Sequence, residues 1–131
     1  MAATQMAADK RYWAFLSYSH ADQKLASWIH RAIESYSIPK RLIGRPTVGG
    51  PAPRRLTPIF RDRADLAARP DLEASIQSAL EHSVFLIVVC SPSAAKSSWV
   101  NQEVARFAEL HGSGRILAVI AAGEPFATDS G

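Results

Sequence analysis

The sequence predicts an α/β fold built on a doubly wound parallel sheet. Three observations carry this. Apolar runs of strand length alternate with stretches of helical period in the order β-α-β-α-β-α-β. The run Val84-Phe85-Leu86-Ile87-Val88-Val89 is continuous and rich in β-branched residues, as a strand covered on both faces requires. Polar loops follow the strand-like runs, at the ends where such sheets bind ligands.

Residues 1–11 read as a flexible leader, and Tyr12 to Ser17 (YWAFLS) as the first strand. Ser19 and Asp22 have the spacing of a capping box, with Asp in place of the preferred Glu. The helix after them carries Leu25, Trp28, Ile29, Ala32 and Ile33 at helical spacing and ends at Ile38-Pro39. Residues 39–58 hold five of the eight prolines and three of the seven glycines, an irregular arm without a period. Leu56 to Phe60 reads as a weak second strand, and Pro58 suits it to a sheet edge. Arg61 to Pro70 is a loop. Asp71 then opens a helix with Leu72, Ile76, Ala79 and Leu80 on one face and acids in its first turn. After the central strand, Ser91-Pro92-Ser93 is a break. A further helix runs from about Ser98 to Leu110 with Val100, Val104, Phe107 and Ala108 inward and Gly112 as its stop. Ile116 to Ile120 forms the fourth strand, and 124–131 a polar tail.

The composition excludes several classes. With 47% apolar and 21% charged residues the chain is an ordinary globular mixture, not a disordered one. A single cysteine, Cys90, allows neither a disulfide framework nor a cysteine-based metal site. No apolar run reaches membrane-spanning length and the N-terminus lacks a signal-like core, so a cytoplasmic protein without a membrane partner is expected. The net charge of +3 is unevenly spread: seven basic residues between Lys40 and Arg63 face one acid, Asp62, a local balance of +6. That arm is either a phosphate-binding patch or a solvated loop. Without interleaved aromatics, nucleic acid is a poor partner for it.

The loops lack the common catalytic signatures. Ser17-Tyr18-Ser19-His20-Ala21-Asp22 contains no glycine, which disfavours both a dinucleotide redox domain and a P-loop. No G-x-S-x-G elbow occurs, and the four histidines lack metal-ligand spacing, so no metal is expected. Strands ending in Ser17 and Cys90 do not supply the acids of a phospho-receiver domain. Glu103 is the remaining candidate. It follows Trp99 by four residues, so both project from one side of a helix, beside the apolar stripe of Val100 and Phe107. Such a pair suits a glycoside with a planar cationic leaving group: the indole faces the ring, and the carboxylate stabilises an oxocarbenium-like state. The residues equally allow Trp99 to pack in the core and Glu103 to pair with Arg106 or Arg69.

Trp13-Ala14-Phe15-Leu16-Ser17-Tyr18-Ser19 resembles the first box of Toll/interleukin-receptor (TIR) domains. Phe60-Arg61-Asp62-Arg63-Ala64-Asp65-Leu66 is similar to the start of their BB loop, and Leu72 to Leu80 to the helix after it. Phe85 to Pro92 matches the strand running into Ser-Pro, and Ser98 to Glu103 the Trp-x-x-x-Glu helix. These boxes fall in family order over residues 12–121.

The resemblance implies a flavodoxin-like TIR fold over residues 12–123, here without its last strand and helix, as in an N-terminal effector domain of a larger bacterial protein. It implies one of two functions. The first is cleavage of the nicotinamide–ribose bond of NAD, by hydrolysis or cyclisation, in signalling or bacterial defence. Glu103 would then be catalytic, Trp99 would border the nicotinamide, and Tyr18, Ser19, Asp62 and Leu72 would line the rest of the site. NAD would be substrate, with no cofactor besides. The second is a non-catalytic adaptor working through TIR–TIR association. Self-association, and C-terminal sensor or repeat domains, are the partners implied. The chain departs from the family's enzymes in having Ser19-His20 where an arginine or lysine often follows Ser-Tyr, and Arg69-Pro70 where the BB loop often has glycine.

Overall fold

The computed structural model describes residues 12–61 and 70–121, with the side chains of 70–73 left aside. Four parallel strands form one sheet: β1 (Tyr12–Ser17), β4 (Ile59–Arg61), β5 (Ser83–Cys90) and β6 (Ile116–Ile120), in spatial order β4-β1-β5-β6. Between β1 and β4 lie α1 (Gln23–Ser35) and a two-stranded hairpin, β2 (Pro46–Thr47) with β3 (Gly50–Pro51). Helix α2 (Pro70–Glu81) links β4 to β5. A short α3 (Pro92–Lys96) and a long α4 (Ser98–His111) link β5 to β6. The chain winds outward from β1 to β4, then returns to the other side of β1 as β5. The order therefore reverses between β1 and β5, the place where such sheets open a crevice at their carboxyl ends.

Two apolar layers sandwich the sheet. On one face Ala14, Leu16, Tyr18, Ile87 and Val89 pack with Ala26 and Ile29 of α1. On the other, Phe15, Leu86 and Val88 pack with Ile76, Ala79 and Leu80 of α2 and with Val100 and Phe107 of α4. The alternation along β5 explains why its sequence is apolar from Val84 to Val89: successive side chains meet opposite layers. Ring contacts of Phe60 with Phe15 and Tyr12, at centroid distances of 5.0 and 5.1 Å, tie the short edge strand β4 to β1.

Several local expectations shift. The second strand covers 59–61, not 56–60, because Pro58 has no N–H for the ladder; its carbonyl instead accepts from the amide of Trp13 at 3.0 Å. Trp28 does not join the core. The buried stripe of α1 runs through Ala26 and Ile29 with Leu25 and Ile33 beside it, which turns Trp28 outward to 61% exposure. Ser19 and Asp22 do not form a capping box: Ser19 caps a 3-10 turn at His20–Asp22 by accepting from the amide of Ala21. The break at Ser91-Pro92-Ser93 is itself a helix start, with Ser91 accepting from the amide of Ala94 and Pro92 in the first turn. Helix α2 starts one residue earlier than expected, at Pro70. Gly112 ends α4 with φ +84°, as a glycine stop should.

The arm has more order than its composition suggests. The amide of Ile38 donates to Arg54 O at 2.9 Å, that of Gly44 to Ala52 O at 2.7 Å, and that of Ala52 to Arg45 O at 2.8 Å. Gly49 anchors the hairpin to the sheet: a Cβ there would stand 2.6 Å from Val84 Cγ2 and 2.9 Å from the Trp13 ring. Among the described residues β6 is an outer strand, with Leu117 50% and Ile120 59% exposed. The expected tail at 124–131 lies outside the described residues.

Candidate active site

Three segments meet at the carboxyl ends of β1 and β5, where the strand order reverses. Ser17 is the last residue of β1. From Ala14 onward the side chains alternate, so Leu16 and Tyr18 enter the α1 layer and Ser17 turns toward α4. There its hydroxyl donates to Glu103 Oε1 at 2.6 Å, with both side chains buried, Ser17 fully and Glu103 to 4% exposure. The alternative pairing of Glu103 with Arg106 is not what the fold adopts, since Arg106 bonds Glu109 at 3.0 Å on the exposed side of the helix. A carboxylate in such surroundings depends on hydrogen bonds that replace water, and Ser17 supplies one.

Helix α4 positions Glu103 through its own start signal. Ser97 accepts from the amide of Val100, fixing the first turn. Val100 and Phe107 then key the helix into the core, which brings Glu103, between them on the same stripe, to the strand end. Trp99, one turn before Glu103, is half-buried and packs on the edge of that core cluster. Trp99 thus packs against the core without being fully buried.

The third segment is the loop after β5. The hydroxyl of Ser91 donates to the carboxylate of Asp22, joining the loops of two neighbouring strands across the crevice. Asp22 makes no capping bond to α1, so its carboxylate serves this cross-link rather than the helix.

The expected site residues are placed unevenly. Glu103 meets the end of β1 at Ser17, and Trp99 packs against the core cluster one helical turn away. Ser19 lies in the adjoining turn, with its hydroxyl occupied by the Ala21 amide. Tyr18 is 5% exposed, in the α1 layer with Ala26 and Ile29. Asp62 and the Leu72 side chain lie outside the described residues. Sequence reasoning pointed to the loops Ser17 to Asp22 and Ser91 to Trp99 as ligand-binding ends of the sheet but gave Ser17, Asp22 and Ser91 no individual role in the candidate site. A signal for Ser17 existed: a polar residue closing an apolar strand that is paired on both sides is buried, and a buried hydroxyl needs a partner. Among the described residues no group of three or more His, Cys, Asp or Glu side chains could hold a metal ion, and no helix is long and apolar enough to cross a membrane.

Comparison with known proteins gives the chain's family. A family profile described as "TIR domain" matches residues 14–129. The chain is 39% identical over 115 residues to a protein of Actinoplanes sp. named NAD(+) hydrolase ApTIR. The match covers 87% of the present chain and 14% of that protein, so the chain spans about one seventh of its relative's length.

Proposed function

The chain belongs to the TIR domain family, and from that premise we propose that it cleaves the nicotinamide–ribose bond of NAD. The observation that carries this reading is the Glu103 carboxylate, held by the Ser17 hydroxyl at the carboxyl end of β1 and one helical turn from a half-exposed indole. The name of the Actinoplanes relative, an NAD(+) hydrolase, supports the same substrate and, of the two outcomes, hydrolysis over cyclisation.

In this reading the bond between the nicotinamide nitrogen and the ribose C1′ breaks with its electron pair going to the ring. Nicotinamide leaves as a neutral molecule and the positive charge passes to the sugar. Glu103 stabilises that oxocarbenium-like centre, and water adding to C1′ yields ADP-ribose and a proton. Trp99 offers a flat, electron-rich surface to the cationic ring before it leaves. Ser17 fixes the carboxylate without touching substrate, and the Ser91–Asp22 bond holds the two flanking loops in register. Tyr18, Ser19, Asp62 and Leu72 complete the proposed lining, and no cofactor takes part. Self-association with other TIR domains raises the activity, and the setting is cytoplasmic signalling or bacterial defence.

The test is NAD turnover by the chain alone and by the chain fused to an oligomerising partner, with Glu103→Gln as the control. Gln fits the same space and still accepts from Ser17. Release of nicotinamide that rises on oligomerisation and vanishes in Glu103→Gln supports the reading. Equal turnover by the variant, or none by either form under any assembly, removes it.

A further inference from the structure

The basic arm takes no part in the site at Glu103. It joins the end of α1 to the start of β4, which places it at the amino ends of the strands. Glu103 sits at the carboxyl end of β1, the length of a strand away, roughly 17 Å at the usual rise per residue. Within the arm a cavity of about 760 Å³ is lined by Lys40, Arg54 and Arg55, by the hydroxyl residues Ser37 and Thr57, and by an apolar wall that includes Ile38. The cations come from two limbs of the arm, and the Ile38–Arg54 backbone bond at 2.9 Å clamps those limbs together.

Among the described residues nothing in the arm balances this charge. No Asp or Glu occurs between Tyr36 and Arg61. At its base, Glu34 is already engaged by the amide of Ile59 at 2.7 Å and by His30 at 3.1 Å. Among the described residues neither Lys40 nor Arg54 nor Arg55 belongs to an ion pair. All three are exposed on a backbone fixed by the hairpin and by Gly49 against Trp13 and Val84. An ordered frame that presents two adjacent guanidiniums, an ammonium and hydroxyl donors to one concavity matches a diphosphate, whose oxygens accept the paired N–H groups of arginine. The volume lies in the range of small-molecule sites and far exceeds a single phosphate.

We propose that this cavity is a second binding site, distinct from the Glu103 crevice, for a small diphosphate-bearing anion: pyrophosphate itself or a nucleoside diphosphate. The apolar wall at Ile38 favours the nucleoside form, whose base would lie against it. A nucleic-acid strand is the weaker fit, because among the described residues no aromatic side chain lines the cavity to stack a run of bases.

The experiment is calorimetric titration of the chain with inorganic pyrophosphate and with ADP, at about 100 mM salt, where exposed charges are screened but not silenced. The chain, Glu103→Gln, Lys40→Gln and the double variant Arg54→Gln/Arg55→Gln are compared. The proposal expects equal affinity for the chain and Glu103→Gln, several-fold weaker binding by Lys40→Gln, and at least tenfold weaker binding by the double variant. Tighter ADP than pyrophosphate assigns the wall to the base, and equal affinities assign recognition to the diphosphate alone. The proposal is overturned by no binding of either ligand at millimolar concentration, by equal binding in the double variant, or by loss in Glu103→Gln. It is also overturned if a single-stranded DNA 20-mer binds over a hundredfold tighter than ADP, with affinity that grows with strand length. Melting curves confirm folding; should the double variant fail to fold, Lys40→Gln alone decides by the same readout.

Discussion

The two ends of the sheet handle polar groups in opposite ways. At the carboxyl end Ser17, Glu103, Ser91 and Asp22 are drawn into the crevice and bonded to each other across distant parts of the chain. At the amino end Lys40, Arg54 and Arg55 stay in water, on an arm whose backbone is bonded but whose charges are not. The difference lies in what each residue owes to folding. A buried carboxylate must be positioned by the fold, so removing the partner that holds it is felt by stability and chemistry together. An exposed cation contributes little to stability and is free to serve a ligand.

That contrast breaks most visibly at Glu103. Glu103→Gln should lower nicotinamide release by about 10²-fold or more, as expected when a preorganised electrostatic partner is lost, while melting changes little. Assayed NAD loss together with a thermal scan checks both halves. Ser17→Ala comes next: removing a hydrogen bond from a buried carboxylate costs about 1–3 kcal/mol in denaturant titration. It should also depress kcat more than KM, since Ser17 orients Glu103 and touches no substrate. A purely packing role would leave kcat in the folded fraction unchanged.

The amino end contains one point where the arm does bear on stability. Gly49→Ala forces a methyl against Val84 and Trp13 and should cost about 1–3 kcal/mol, measured by urea unfolding. A smaller effect is expected at His111, whose ring bonds Leu80 O at 3.1 Å and packs on Phe107. Burial holds its pKa below the ordinary 6.5, aided by the nearby Arg115 guanidinium, against the hydrogen bond that raises it. The neutral ring is therefore favoured in the fold: stability is full above pH 6.5 and falls as pH drops through that value toward the lower folded-state pKa. His111→Gln should flatten this part of the Tm-against-pH curve. Smallest of all, Arg54→Gln/Arg55→Gln should shift stability by no more than about 0.5 kcal/mol, even though it weakens the proposed anion binding at least tenfold.

Much of the fold was legible because period and strand chemistry are local. The continuous apolar run at 84–89, rich in β-branched residues, read as a doubly covered strand, and the expected span from about Ser98 to Leu110 with Gly112 as its stop matches α4 within about a residue. Trp28 was misread because a helical period does not say how wide the buried stripe is; the sheet's contact with α1 decided that. Half of the candidate site was legible as well. Trp99 and Glu103 share a helix and reveal themselves by spacing, whereas Ser17 is 86 residues from its partner and Ser91 is 69 from Asp22.

By itself the sequence determined the alternation of strands and helices, the candidate carboxylate with its indole, and the concentration of positive charge in a proline-rich arm. These depend on residues close in the chain, where helical and strand periods, capping and composition act. Only the tertiary structure decided which hydroxyl holds Glu103 and that the loops after β1 and β5 are joined by Ser91 and Asp22. It alone placed the cations at the end of the sheet opposite the crevice. Those facts follow from strand order and side-chain alternation across a sheet, and neither is encoded in any one stretch of chain.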